Sequence, residues 1–149
     1  MKHLNTYKIL NHFMRILALD VGDKRIGCAI SDEEGKIALG IDTIEMEGAI
    51  ESLKEVLSKY NPSKIVFGLP LTMDGKSAFQ AEKVLKFASK VSEITDIPTT
   101  FWDERLSTKE AERVLKGVKK EKRDRVIDML SAQVILQGFL GERKVLEEE

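Results

Sequence analysis

The chain has 149 residues, of which 42% are hydrophobic and 33% charged, and its formal net charge is −1. This is the balance of a soluble globular protein with one core, and the small net charge excludes nucleic-acid binding driven by the field of the whole molecule. The single cysteine, Cys28, excludes an internal disulfide and a cysteine zinc cluster, and the absence of a long apolar segment predicts a cytoplasmic protein without a membrane partner.

Three short strands are predicted in the first part of the chain. Residues 15–21 alternate in hydrophobicity, which puts Ile16, Ala18 and Asp20 on one face of a strand. A Gly-Asp-Lys turn leads to a second strand at 25–31, and an Asp-Glu-Glu-Gly turn leads to a third at 36–41. Connections this short join antiparallel strands, so we expect a meander in which Cys28 is a core residue.

Helices and strands then alternate along the chain. Apolar residues at helical spacing predict helices at 50–60, 78–91 and 123–140, and a capping box begins a further helix at 107–117. Strands are predicted at 64–69, from a continuous apolar run, and at 98–104. The last helix is apolar around most of its circumference and should be largely buried.

This order of elements predicts an α/β fold of the RNase H-like kind. The meander and two parallel strands would form one mixed five-stranded sheet, and the crossover helices would cover both of its faces. We assign residues 14–141 to this domain, residues 1–13 to an N-terminal extension and residues 142–149 to a charged C-terminal tail. The two histidines lie within the extension, which gives little support to a histidine-dependent mechanism.

Acidic residues stand at three places where apolar residues would be expected. Asp20 ends the first strand, Asp103 and Glu104 end the last strand, and Asp128 lies on an apolar face of the last helix. Each has an ordinary structural explanation: Asp20 could begin a turn, and the others could pair with neighbouring arginines. For Asp128 that neighbour would be Arg125, one turn earlier in the helix.

Taken together, the carboxylates predict a metal site. The carboxyl ends of the parallel strands meet at one edge of such a sheet, and the last helix can cross them there. Close carboxylates repel each other unless a cation lies between them, and hard oxygen donors suit Mg²⁺ or Mn²⁺. We therefore predict that Asp20, Glu104 and Asp128 are catalytic residues and metal ligands. Asp103 is the alternative to Glu104, and no protein cation is expected to compensate the site fully.

Basic residues near this site are predicted to contact phosphates. Three are neighbours of the acidic residues in sequence, and three lie in a basic cluster that leads into the last helix. They are Lys24, Arg25, Arg105, Lys119, Lys120 and Arg123. Such clusters are more often solvated surface, so a binding role remains a hypothesis here.

The motifs LALDVGDKRIGCAISD, FGLPLTMDG, FWDERLST and IDMLSAQVILQGFL together resemble the YqgF-type nucleases, described both as nucleases for pre-16S ribosomal RNA and as Holliday-junction resolvases. The resemblance runs from Met14 to about Leu140. It implies an RNase H-like fold, a bacterial cytoplasmic enzyme, and a site formed by Asp20, the acidic pair of FWDER and Asp128. In the better-known junction resolvases of the superfamily one carboxylate lies on the strand that corresponds to 64–69, which carries no acid here.

Several functions remain open. The main expectation is a metal-dependent nuclease that processes pre-16S ribosomal RNA. The nearest alternative is a resolvase of branched DNA, which would need a two-fold dimer to cut two strands symmetrically, and the sequence leaves the oligomeric state open. A nucleotide-binding module is the third reading, since Asp20 and the two following glycines resemble the phosphate hairpin of actin-like ATPases. The fourth is a binding protein without catalysis.

Overall fold

The computed structural model describes residues 15–70, 75–103 and 119–148. Five strands form one sheet: β1 (Ile16–Val21), β2 (Arg25–Ser31), β3 (Ala38–Glu45), β4 (Lys64–Leu69) and β5 (Thr99–Asp103). The helices in these ranges are α1 (Ala49–Tyr60), α2 (Gly75–Ile94) and α3 (Lys120–Glu148). Within the same ranges, no helix has both the length and the hydrophobicity required to cross a membrane.

The strand order in the sheet is β3-β2-β1-β4-β5. β1 pairs antiparallel with β2 and β2 with β3, whereas β4 is parallel to both β1 and β5. This confirms the predicted meander with two added parallel strands. β1 therefore lies at the centre of the sheet, and its carboxyl end points the same way as those of β4 and β5.

The alternation of β1 divides the core between the two faces of the sheet. Leu17, Leu19 and Val21 point toward α1 and α2, and Cys28 belongs to the same buried cluster. Ile16 and Ala18 point the other way and pack with residues of α3. The alternation continues to Asp20, which therefore faces α3. The predicted burial of Cys28 is confirmed, and burial raises the pKa of its thiol to about 12, which leaves it unreactive near neutral pH.

Several predicted boundaries are wrong, and β3 runs from Ala38 to Glu45 instead of from residue 36 to residue 41. The side chain of Asp32 accepts hydrogen bonds from the backbone N–H groups of Lys36 and Ile37, at 2.6 and 3.0 Å, so the turn extends further and β3 begins only at Ala38. Both α2 and α3 are longer than predicted, because hydrophobic spacing identifies only the part of a helix that packs on the core. Thus α3 continues to Glu148, into the predicted tail. The predicted extension and the helix at 107–117 lie outside the described residues.

Candidate active site at the carboxyl end of β1

A row of three residues crosses the antiparallel strands beneath α3. Asp20 on β1 is the register partner of Gly27 on β2, and Gly27 is the partner of Thr43 on β3. Register partners on neighbouring strands point to the same face of a sheet, so all three positions face α3. Asp20 is half-buried, whereas Thr43 is buried. The row lies one residue from the end of β1, where the predicted site was placed.

The backbone of α3 lies directly on this row. A Cβ added to Gly27 would lie 1.8 Å from the carbonyl oxygen of Asp128, so the two backbones are in contact only because Gly27 has no side chain. The hydroxyl of Thr43 donates a 2.6 Å hydrogen bond to the carbonyl oxygen of Arg125. These contacts put Asp128 above Gly27, beside the strand that carries Asp20. The structure thus brings these two predicted site residues to the same region.

Arg25 on β2 forms an ion pair with Asp128 on α3. Its Nε lies 2.8 Å from Oδ2 of Asp128, and each side chain is 26% exposed. The hydrogen bond that Arg25 donates to Asp128 is the largest cause of the raised pKa of Arg25. Arg25 was expected to contact phosphate, whereas in the structure it contacts one of the predicted site carboxylates; the expectation that no protein cation fully compensates the whole site stays a prediction. Arg125 was the structural partner proposed for Asp128, and this was wrong, because Arg125 pairs with Glu45 at 3.2 Å.

We expect Arg25→Gln to lower the free energy of unfolding by about 1 kcal/mol in metal-free buffer, since it leaves a half-buried carboxylate without its ionic partner. Urea denaturation followed by circular dichroism measures this change. Arg15→Gln is the matched control, because Arg15 pairs with Glu33 at 3.4 Å in a more exposed setting, and its effect should be close to zero. Equal effects of the two substitutions would contradict a special role for the Arg25–Asp128 pair.

The acidic pair at the end of β5 is only partly described. Asp103 is the last residue of β5 and the register partner of Leu69, which packs with the α1 and α2 side of the core. Trp102, the residue before Asp103, packs with α3 instead. Alternation therefore puts Asp103 on the face opposite to Asp20. Glu104 lies outside the described residues. Within the described ranges, no three His, Cys, Asp or Glu residues form a group that could hold a metal.

Three of the remaining predicted binding residues are described, and they lie at two places. Lys24 is exposed in the β1–β2 turn, while Lys119 is exposed and Arg123 partly exposed at the start of α3. Arg105 and the side chain of Lys120 lie outside the described part of the chain. Their assignment as phosphate contacts therefore stays a prediction.

Two residues that position the site were not identified from the sequence. The sequence marks Gly27 only as one of the two glycines of a possible phosphate hairpin, although the hairpin between β1 and β2 already implies that it lies opposite Asp20. Gln80 carries no such signal in the sequence. Its side chain on α2 donates a 2.7 Å hydrogen bond to the carbonyl oxygen of Val21, the residue after Asp20. No local pattern marks this contact, because 59 residues separate its two partners.

Comparison with known proteins identifies the family. The RuvX family model, described as "Holliday junction resolvase", matches residues 14–142. A protein of Caldanaerobacter subterraneus subsp. tengcongensis named "Putative pre-16S rRNA nuclease" is 50% identical over 137 residues, which cover 88% of this chain and 99% of the relative. A protein of Clostridioides difficile with the same name is 50% identical over 131 residues, covering 85% and 93%.

Solved structures support the same fold. Thermus thermophilus RuvC in complex with a Holliday junction substrate is similar with a TM-score of 0.54 and 14% identity, covering 88% of this chain and 96% of RuvC. The fowlpox virus resolvase in complex with its Holliday junction DNA gives a TM-score of 0.52 at 14% identity, covering 87% and 98%. These likenesses establish the RNase H-like fold. Together with the family match and the 50% identical relatives, they lead to one conclusion: the chain belongs to the RuvX family of nucleases, the YqgF-type group that its motifs resemble.

Proposed function

We propose that this chain is a divalent-metal-dependent nuclease that hydrolyses phosphodiester bonds in structured RNA, with the precursor of 16S ribosomal RNA as its substrate in the cytoplasm. The observation that carries the proposal is the contact between α3 and Gly27, because it holds Asp128 beside the strand that presents Asp20. The names of the 50% identical relatives support the choice of substrate.

The donor set fits Mg²⁺ or Mn²⁺. Asp20 and Asp128 supply hard carboxylate oxygens on one face of the sheet, at the edge where open α/β sheets bind ligands. Because the described residues include no group of three ligands, a third carboxylate must come from elsewhere. We propose Glu104, because the family resemblance assigns one residue of the pair Asp103–Glu104 to the site and Asp103 lies on the face opposite to Asp20. A cation bound there would activate water and stabilise the leaving oxygen of a phosphodiester.

The protein groups around the carboxylates have distinct roles in this proposal. Arg25 holds the Asp128 side chain in place through its 2.8 Å contact and reduces repulsion between the carboxylates before substrate binds. The basic residues at the start of α3, with Lys24 and Arg105, would orient the substrate by contacting its phosphates. Contacts to phosphates do not depend on the identity of the bases, which agrees with a substrate recognised by its shape.

Branched DNA is the alternative substrate. The family description and the junctions bound by two proteins of the same fold favour it. Symmetric resolution of a junction needs two active sites related by a two-fold axis, so this alternative also requires a dimer.

One experiment separates the two substrates. Purified protein with Mn²⁺ is incubated in parallel with a pre-16S RNA fragment and a four-way DNA junction, and products are resolved on denaturing gels. We expect cleavage of the RNA at rates well above those for the junction. Preferential, symmetric junction cleavage by a dimer would replace the RNA proposal with the resolvase. Absence of cleavage of both, with chelator and metal controls, would contradict a nuclease.

A further inference from the structure

A stripe of one aromatic and three basic residues runs along α2. Phe79, Lys83, Lys86 and Lys90 are separated by four, three and four residues, a spacing that puts them on one side of the helix. We call these four residues the α2 stripe. Their Cα atoms span about 17 Å at the rise of an α-helix. The hydrophobic residues Val84, Ala88 and Val91 of the same helix are buried in the core, so the stripe is not part of the packing face.

The stripe begins at the catalytic edge of the sheet. The hydrogen bond from Gln80 to Val21 fixes the first turns of α2 against the end of β1, one residue beyond Asp20. Lys83 forms an ion pair with Asp23 in the β1–β2 turn. A groove of about 260 Å³ lies between that turn and the helix, and Lys83, Lys86 and Lys90 line its helical side. A strand leaving the active site along this groove would therefore pass all three lysines.

Phe79 is the unusual member of the stripe. Its side chain is 62% exposed, more than any other large hydrophobic side chain in the described part of the chain. The ammonium group of Lys83 lies 4.7 Å from the centre of its ring. An exposed aromatic ring costs free energy in water, whereas next to lysines it offers a platform on which an unpaired base can stack while the ammonium groups bind the adjoining phosphates.

The acidic residues near the stripe do not prevent phosphate binding. Lys86 lies 3.3 Å from Glu82, but the two side chains are 73% and 61% exposed, and such a pair contributes little. Asp23 is also 66% exposed. A phosphate can replace either carboxylate at little cost, and Lys90 adds an exposed ammonium at the far end of the groove.

We propose that the α2 stripe is a binding track for single-stranded nucleic acid that flanks the cleavage site, with one base stacked on Phe79 and phosphates bound by Lys83, Lys86 and Lys90. This inference rests on the proposed nuclease function and narrows its substrate class, because the track selects substrates with an unpaired strand next to the scissile bond. Base stacking and phosphate contact are shared by RNA and DNA, so RNA and DNA strands of the same sequence form separate arms of the test.

Binding is measured with the full chain in EDTA by fluorescence anisotropy, using labelled single strands of about ten nucleotides and the corresponding duplexes. We expect Phe79→Ala to weaken single-strand binding about tenfold and to leave duplex binding unchanged, and Phe79→Tyr to restore it. The double variant Lys86→Gln/Lys90→Gln should reduce the slope of log affinity against log salt by about 1.4. All of these side chains are exposed, and melting temperatures verify that each variant folds.

Lys54→Gln/Lys59→Gln is the matched control. These lysines lie on α1, which packs on the same face of the sheet, and Lys54 pairs with Glu51 at 3.3 Å much as Lys86 pairs with Glu82. This variant should keep the affinity and salt slope of the wild type. The track would be overturned if Phe79→Ala and the α2 double variant both left the single-strand affinity unchanged. It would also be overturned if the α1 variant changed that affinity by the same amount as the α2 variants.

Cleavage by the wild type, assayed separately, distinguishes this inference from the function on which it rests. A wild type that cleaves RNA while the stripe variants bind normally would overturn only the track. A wild type that binds through the stripe but cleaves no substrate would support the track and contradict the nuclease proposal.

Discussion

We expect Gly27→Ala to destabilise the protein by about 3 kcal/mol and to abolish cleavage. The added Cβ would lie 1.8 Å from the carbonyl oxygen of Asp128, 2.4 Å from its carbonyl carbon and 3.1 Å from the backbone nitrogen of Met129. All three are backbone atoms of a long helix, so no side-chain rotation relieves the clash and α3 must move away from the sheet. That movement would displace Asp128 from Asp20. Urea denaturation and the cleavage assay measure the two effects.

Two other glycines serve as graded controls. A Cβ on Gly40 would first meet the flexible side chain of Met129, at 2.5 Å, so Gly40→Ala should have an intermediate effect. A Cβ on Gly141, within α3, would meet nothing within 4 Å. Gly141→Ala should therefore raise stability by about 0.5 to 1 kcal/mol, because alanine favours the helical backbone. A Gly27→Ala variant as stable as the wild type would contradict the contact on which the proposed site depends.

We expect Asp20→Asn and Asp128→Asn each to lower the rate of metal-dependent cleavage at least about a hundredfold, because each removes a carboxylate from the proposed metal site. The two substitutions should differ in their effect on the free energy of unfolding, and the sequence did not indicate this difference. Asp128→Asn takes the ionic partner from Arg25 and should cost about 1 kcal/mol, whereas the same substitution in an Arg25→Gln background should cost little. Single-turnover cleavage with Mn²⁺ and urea denaturation of the wild type, the three single variants and the double variant complete this test.

The double-mutant cycle separates the structural role of Asp128 from its catalytic role. A coupling energy near 1 kcal/mol with cleavage lost would show both roles. If Asp128→Asn retained cleavage while the coupling persisted, Asp128 would be a structural partner of Arg25 alone. The proposed site would then lose its α3 ligand.

Local pattern was sufficient for most of the fold. The alternation from Ile16 to Val21 predicted which face each residue occupies, because a strand has a period of two whatever it packs against. Short turns made the meander antiparallel for steric reasons, and the long crossovers that contain α1 (between β3 and β4) and α2 (between β4 and β5) allowed β4 and β5 to run parallel to β1. Element boundaries were less accurate. The Asp32 turn and the ends of α2 and α3 depend on hydrogen bonds and solvent exposure that hydrophobic spacing does not reflect.

The sequence by itself determined the fold class, the family and the residue types at the site, since each follows from patterns within short segments or from motifs in a fixed order. Only the tertiary structure decided which side chains meet. Arg25 and Asp128 are 103 residues apart and could not be paired by any local rule; neighbours in the helix made Arg125 the obvious candidate. Likewise, Gly27 is required because the backbone of α3 contacts it, and this contact exists only once the helix packs on the sheet.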